Sequence, residues 1–295
     1  MPPFLAYDDK TPESFTTSTL HRAPTPTPPS GAAGTTGTTG TPLVLIHGHP
    51  FDRTMWAPQL AEFATARRVI APDLRGYGAS PVTPGTVPLD RHAQDIEELL
   101  DALGVDTFVL GGLSMGGQIV MECYDRFGDR VRGLVLADTF PAPETPEGRL
   151  ARRAMAERLL AEGMRGYADE VLEKMVAPYA DPAVKAHVHR MMTATAPEGA
   201  AAALRGRAER PDYRDLLTKV AVPALVVVGA DDTYTPVSDA EAMHAALPDS
   251  ELCVVAGAAH MPNLERPEEF NGALGRFLAR VDARHRSNPN ELYQP

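Results

Sequence analysis

A chain of 295 residues with 43% hydrophobic content has the length for one large α/β domain with an inserted subdomain, and enough apolar side chains to bury a core. With 28 basic against 39 acidic side chains the formal charge is −11 and the pI near 5.3, which excludes nucleic acid and anionic membrane surfaces as expected partners because like charges repel. The absence of a signal-like start or a membrane-spanning run, together with only two cysteines, Cys123 and Cys253, both at positions that read as buried, predicts a cytoplasmic protein with free thiols.

Residues 1–22 hold weak strand-like pieces, the best of them over 14–20. Residues 23–40 form a Pro, Thr and Gly run that can bury nothing. Residues 1–40 are therefore read as a strand-like segment and a flexible loop, a lengthened hairpin connection. Leu43-Val44-Leu45-Ile46 is all apolar, as expected of a central strand covered on both faces. After it come His47-Gly48-His49-Pro50-Phe51, a helix over about 55–65, a strand ending near Ala71 and a turn-rich loop over 72–80. Ile96, Leu99, Leu100 and Leu103 repeat at i, i+3, i+4 and i+7, which predicts a helix stopped by Gly104.

Residues 107–110 are β-branched or apolar and run into Gly112-Leu113-Ser114-Met115-Gly116-Gly117. Helix formers over 118–127 then end at Gly128. Strand, sharp turn and helix in this order place Ser114 on the turn. A turn this tight strains the serine backbone and leaves no room for side chains two residues before and after it, where Gly112 and Gly116 stand in the pattern G-x-S-x-G. The hydroxyl is pushed into the open, and the unpaired N–H groups at the start of the next helix favour an oxyanion beside it. Those are the requirements of a nucleophile. A nucleotide loop is excluded, since neither G-x-G-x-x-G nor G-x-x-x-x-G-K-[ST] fits these residues.

Leu134-Val135-Leu136 reads as another buried strand, closing at Asp138. Residues 140–215 offer no buried strand, only alanine- and methionine-rich helical stretches, and are read as a helical lid. The sheet resumes at 225–228, followed by a helix over 237–247, a strand over 252–255 and a helix over 267–281, with 284–295 a frayed tail. Alternating strands and helices demand a mostly parallel sheet with helices on both faces, built here from 41–139 and 216–283. Chemistry in such sheets gathers at the carboxyl ends of the strands. His49, Ser114, Asp232 and His260 each follow a different strand, so the fold can bring them together.

On these residues the chain resembles the α/β-hydrolase family from about residue 40 to 282. The motifs that carry the resemblance are His47-Gly48-His49-Pro50, the run from Asp73 to Ser80, Gly112 to Gly117, the run from Gly229 to Pro236, and Ala259-His260-Met261-Pro262. Within the family the elbow is similar to small carboxylesterases, enol-lactone hydrolases and the cofactor-free haloperoxidase or perhydrolase group. A serine at 114 separates the chain from the dehalogenase and epoxide hydrolase branches, which use aspartate there. The resemblance implies Ser114 as nucleophile and His260 as its base. It implies Asp232 as the acid that holds the imidazole, three residues after Gly229 and three before Thr235, with Asp231 a solvated neighbour. Asp138 is the alternative acid, because some relatives place it after the earlier strand. Ala259 stands where the family usually has glycine. The backbone N–H groups of His49 and Met115 are the implied oxyanion hole. His47 is read as bracing its loop, and Arg75 with Asp73 as a clamp beneath the site.

No metal or organic cofactor is expected. His187 and His189, two apart on a helix, do not share a face and have no third ligand. The implied activity is hydrolysis of a small carboxylic ester or lactone through an acyl-enzyme. The alternatives are perhydrolase, carbon–carbon bond hydrolase or tailoring chemistry on the same triad, or a ligand-binding protein without turnover. Met155, Met164, Met175, Met191 and Met192 lie in the expected lid, and flexible thioethers over a cleft predict a preference for uncharged esters or lactones. Oligomeric state is not legible.

Overall fold

The computed structural model describes residues 4–12 and 40–287; the strand-like stretch expected over 14–20 and the loop expected over 23–39 lie outside them. A seven-stranded sheet runs in the order β1-β3-β2-β4-β5-β6-β7. Its strands are β1 (Tyr7–Lys10), β2 (Leu43–Ile46), β3 (Val69–Pro72), β4 (Phe108–Leu113), β5 (Val131–Ala137), β6 (Ala224–Gly229) and β7 (Ser250–Val255). Every pairing is parallel except β1 against β3.

The central strands are apolar at all but one position, Arg132 near the start of β5, because helices cover both faces, and alternate residues serve opposite cores. Val44, Ile46, Ile70, Leu110, Leu134, Leu136 and Val226 enter one cluster with α2 (Leu89–Ala102) and α3 (Met115–Phe127). Leu43, Leu45, Val69, Val109, Val135 and Val227 enter the other, with α1 (Ala57–Phe63) and α11 (Pro267–Ser287). Between β5 and β6 the chain forms α4 (Pro146–Glu162), α5 (Met164–Met175), α6 (Pro182–Ala194), α7 (Pro197–Ala208) and the single turn α8 (Arg214–Leu217). The remaining helices are α9 (Val237–Ala246), between β6 and β7, and the single turn α10 (Pro262–Glu265), before α11.

Three expectations change. α11 continues past Arg284 to Ser287, held by Arg280 and Arg284, one turn apart and both paired to Asp249. Cys253 is only half-buried, because β7 is an edge strand, whereas Cys123 is buried. Arg75 does not clamp Asp73. It donates Nε and Nη2 to Asp95 at 2.7 and 2.5 Å, with Arg91 joining the same carboxylate at 2.7 Å, while Asp73 pairs with Arg53 and accepts the Ala79 N–H.

The Asp95 side chain is fully buried and Arg75 nearly so, which makes this pair a test of the charged interior. Asp95→Asn strands a buried guanidinium and should cost about 3–5 kcal/mol in urea unfolding. Glu209→Gln, which breaks two exposed pairs to Arg149 and Arg153, should cost less than about 1 kcal/mol.

Candidate active site

β4 ends at Leu113 and α3 begins at Met115, three residues earlier than the expected helix, so Ser114 alone makes the turn. Its backbone sits at φ 58°, ψ −118°, a conformation that costs a non-glycine residue about 1–3 kcal/mol. A Cβ at position 112 would lie 2.4 Å from the carbonyl of Gly116, and one at 116 would lie 2.2 Å from the Ile46 oxygen. Both glycines are therefore required by contact. The strained residue is fastened on both sides: its N–H donates to Ala137 O at 2.9 Å, and its carbonyl accepts from Gln118 N and from the Thr139 hydroxyl at 2.7 Å.

His260 leaves the loop after β7 and turns Nδ1 to Asp232 Oδ2 at 2.7 Å, with both side chains almost completely buried. The other Asp232 oxygen accepts the N–H groups of Tyr234 and Thr235 at 2.7 and 3.2 Å, and the Thr235 hydroxyl adds a donor to Oδ2. Burial alone would raise the Asp232 pKa; His260 and these donors reverse that and hold it below the usual carboxylate value. Glu265 fixes the histidine loop by accepting from Ala259 N and Met261 N on Oε1 and from Ala177 N on Oε2. Ala259 has no positive φ, so alanine in place of glycine adds no strain there.

Asp138 is the second buried carboxyl of the site. Its φ is 43°, Oδ1 accepts Gly229 N at 2.9 Å, and Oδ2 has no partner. Burial first, and then the charge of Asp232, push its pKa well above the usual range, so Asp138 resists ionisation more than its neighbour does. Donor atoms of Asp138, Asp232 and His260 lie within 4.8 Å of one another, close enough to consider a cation. The 2.7 Å contact between His260 and Asp232 is that of atoms sharing a proton, shorter than the separation of two ligands about 2.0–2.1 Å from one metal in tetrahedral geometry.

The loop after β2 covers the serine: a Cβ on Gly48 would lie 3.2 Å from Ser114 Cβ. His47 bridges this loop to the next, accepting Leu74 N on Nε2 at 2.8 Å with Nδ1 on Gly48 O at 2.8 Å. His49 contacts the Tyr77 hydroxyl through Nδ1 at 2.7 Å, and its Nε2 has no partner. Burial raises the Tyr77 phenol well above its ordinary value, so the phenol keeps its proton. Burial first, then the charges of Arg207 and Arg152, hold His49 neutral. Among the described residues neither the His49 nor the Met115 backbone N–H has an acceptor.

His49, Ser114 and His260 line one cavity of about 160 Å³, small against the roughly 300–1,000 Å³ of drug-sized sites. The helices between β5 and β6 close it, but not as the methionine count suggests. Met175 alone of the five lines the cavity, and the others pack inside the helical layers, as Met191 and Met192 do with Val188. Arg152 and Arg207 stand at the wall instead, beside Tyr167 and Tyr234. The methionine-lined cleft expected from the sequence is therefore not the lining the cavity has. Arg207 was missed, although Ala200, Ala203, Leu204 and Arg207 repeat at i, i+3, i+4 and i+7, which puts an arginine on a buried stripe. Tyr77 and Glu265 carry no comparable signal. His187 and His189 stay apart from the cavity, on Thr54 and Asp169.

The model of the alpha/beta hydrolase family matches residues 43–273. A thermophilic esterase from Thermogutta terrifontis, solved with malate bound, superposes with a TM-score of 0.83 at 36% identity over 94% of each chain. Among curated proteins, 3-oxoadipate enol-lactonase 2 of Acinetobacter baylyi is 29% identical over 78% of this chain and 85% of its own length. Pimeloyl-[acyl-carrier protein] methyl ester esterase of Neisseria meningitidis is 32% identical over 80% of this chain and 93% of its own.

The raised Asp138 carboxyl has a thermodynamic consequence. A group whose folded pKa exceeds its unfolded value of about 3.9 stabilises fully below that pH and loses its contribution as pH climbs toward the folded pKa. Asp138→Asn cannot ionise and escapes that loss. Its melting temperature relative to the native chain should rise between pH 4 and pH 7; a constant difference would mean that Asp138 is ionised in the folded state.

Proposed function

The chain belongs to the α/β-hydrolase family, and on that premise we propose that it is a serine hydrolase cleaving a small carboxylic ester or lactone through an acyl-enzyme. The observation that carries the reading is the buried His260–Asp232 contact at 2.7 Å: it spends Nδ1 on the acid and leaves Nε2 as the nitrogen for Ser114, on the cavity both side chains line. The ester and lactone named for the Neisseria and Acinetobacter relatives support the substrate class.

Ser114 Oγ attacks the carbonyl carbon as His260 Nε2 takes its proton. Asp232, held ionised by its donors, stabilises the imidazolium. Negative charge develops on the carbonyl oxygen between the N–H groups of Met115 and His49, which have no other acceptor and need not reorganise. His260 then protonates the leaving alkoxide, giving the acyl-enzyme. Water, deprotonated by the same imidazole, attacks the acyl carbon, and collapse of the second tetrahedral intermediate returns the proton to Ser114. For a lactone the leaving alkoxide stays tethered, and the product is a single hydroxy acid.

Ser114→Ala and His260→Ala should each abolish turnover of short methyl esters and lactones while circular dichroism shows an intact fold. A fluorophosphonate probe should label the native chain at Ser114, which a ligand-binding protein without turnover would not do. Asp232→Asn should lower kcat by about 10⁴-fold, while Asp231→Asn should change it little. If Asp138→Asn proves the crippling change, the acid has been assigned to the wrong strand.

A further inference from the structure

Arg207 is 7% exposed, yet it has no carboxylate partner among the described residues. Its recorded side-chain contact is Nε donating to Gln118 Oε1 at 3.1 Å, and Gln118 Nε2 is itself unpartnered. One turn on, Arg210 shows what a structural buried arginine does: it donates Nε to Ala142 O and Nη1 to Glu144 and to Arg207 O, and it stacks on Phe140. Arg152 lies at the same cavity wall and spends only Nε, on Glu144. Two guanidinium groups thus share the one carboxylate, and Arg207 is left without any. Burial opposes ionisation of Glu144, but Arg210 and Arg152 hold it at about 2, so its charge is already committed.

A guanidinium stays protonated at any accessible pH, and a buried one without an anion is costly. The backbone that carries Arg207 is held close to the core along α7. A Cβ on Gly199 would lie 2.0 Å from Gly76 O and one on Gly206 would lie 1.8 Å from Val87 O, so backbone meets backbone at both ends. Val87 N donates to Ala202 O at 3.0 Å between them, and the Thr195 hydroxyl ties the start of the segment to Pro50 O. Backbone contacts thus join the loops that flank Ser114 to the helix that carries Arg207. Arg207, with Arg152 of α4 beside it, lines the cavity that contains Ser114.

We infer that this cavity takes a substrate bearing a carboxylate of its own, the half-ester or lactone of a short dicarboxylic or oxo acid, with the free carboxylate seated on Arg207 and Arg152. This rests on the hydrolase reading above and deepens it. A carboxylate supplies the anion that Arg207 lacks, accepts two parallel N–H donors from a planar fork, and suits a cavity of about 160 Å³ that admits a short chain. His49, whose Nε2 has no partner, lines the same wall.

The test pairs substrates of equal length that differ in a methyl against a carboxylate: methyl butanoate with monomethyl succinate, methyl pentanoate with monomethyl glutarate, and methyl hexanoate with monomethyl adipate. At least one half-ester should exceed its neutral partner by about tenfold or more in kcat/KM, as expected for charge-assisted hydrogen bonds. Arg207→Gln should bring that ratio down toward one, and Arg207→Lys, which keeps the charge without the fork, should retain part of it. Glutarate binding to Ser114→Ala, measured by calorimetry, needs no turnover and should weaken by about tenfold or more when Arg207→Gln is added. Hydrolysis with the neutral ester preferred in every pair overturns the inference and leaves the hydrolase reading standing. Tight, Arg207-dependent glutarate binding without hydrolysis of any ester does the reverse. Glutarate binding indifferent to Arg207 in a folded double variant overturns the arginine site outright.

Discussion

The close passage of β2 against the start of α3 is the contact on which the rest of the site depends. The Ile46 carbonyl lies where a side chain at position 116 would have to go, and the Gly116 carbonyl lies where one at 112 would. Given that approach, the turn at 114 has no relaxed alternative. Ser114 remains in its strained conformation because the Ala137 carbonyl, the Gln118 N–H and the Thr139 hydroxyl each hold one of its backbone groups. The strain aims the hydroxyl at the cavity and fixes its relation to the β2 loop, since Gly48 packs against the serine side chain. Strain, sheet register and loop position are a single constraint expressed at three places.

Charge around that constraint is restricted. Burial lowers the pKa of His47 and His49 and raises that of Asp138, so each of the three resists taking up charge. The ionic groups that remain are treated unequally. Asp232 accepts from two backbone N–H groups, a hydroxyl and an imidazole, and is fully compensated. Arg207 has one amide oxygen. In a region of low effective dielectric both charges are felt by their neighbours: Asp232 favours the protonated forms of Asp138 and Tyr234, and Arg207 lowers the proton affinity of His49, Tyr77, Tyr167 and Tyr234.

What could be read from the sequence follows from how local each requirement is. The elbow was legible because its steric demand falls on residues two before and two after the serine, whereas Asp232 came from the resemblance of the run from Gly229 to Pro236, and the structure sets its carboxylate 2.7 Å from His260. The apolar strands declared themselves by composition. Partner choice at longer range was not legible: Arg75 with Asp95 rather than Asp73 depends on the approach of α2 to the loop after β3, which no window of sequence contains. The start of α3 was misjudged because two glycines are poor helix formers, and tertiary contact overrode that preference. The methionines misled for a related reason. Their number in one segment says nothing about which face of each helix turns toward the serine.

The helices above the cavity differ in how they are attached. Nearly all of α7 is buried and meets the core through backbone contacts at Gly199 and Gly206, which leave no slack. α4 buries only Ala156 and Leu159. Much of its remaining attachment is ionic and largely exposed, through Arg149 and Arg153 to Glu209 and through Glu157 to Arg205, contacts that contribute little individually and weaken with salt. The apolar residues of α4 nevertheless pack on α7, Ala156 and Leu159 meeting Ala200, Ala201 and Leu204 in a small cluster of their own. Arg152 is therefore placed at the cavity by way of the helix that carries Arg207, and the two cations share one support.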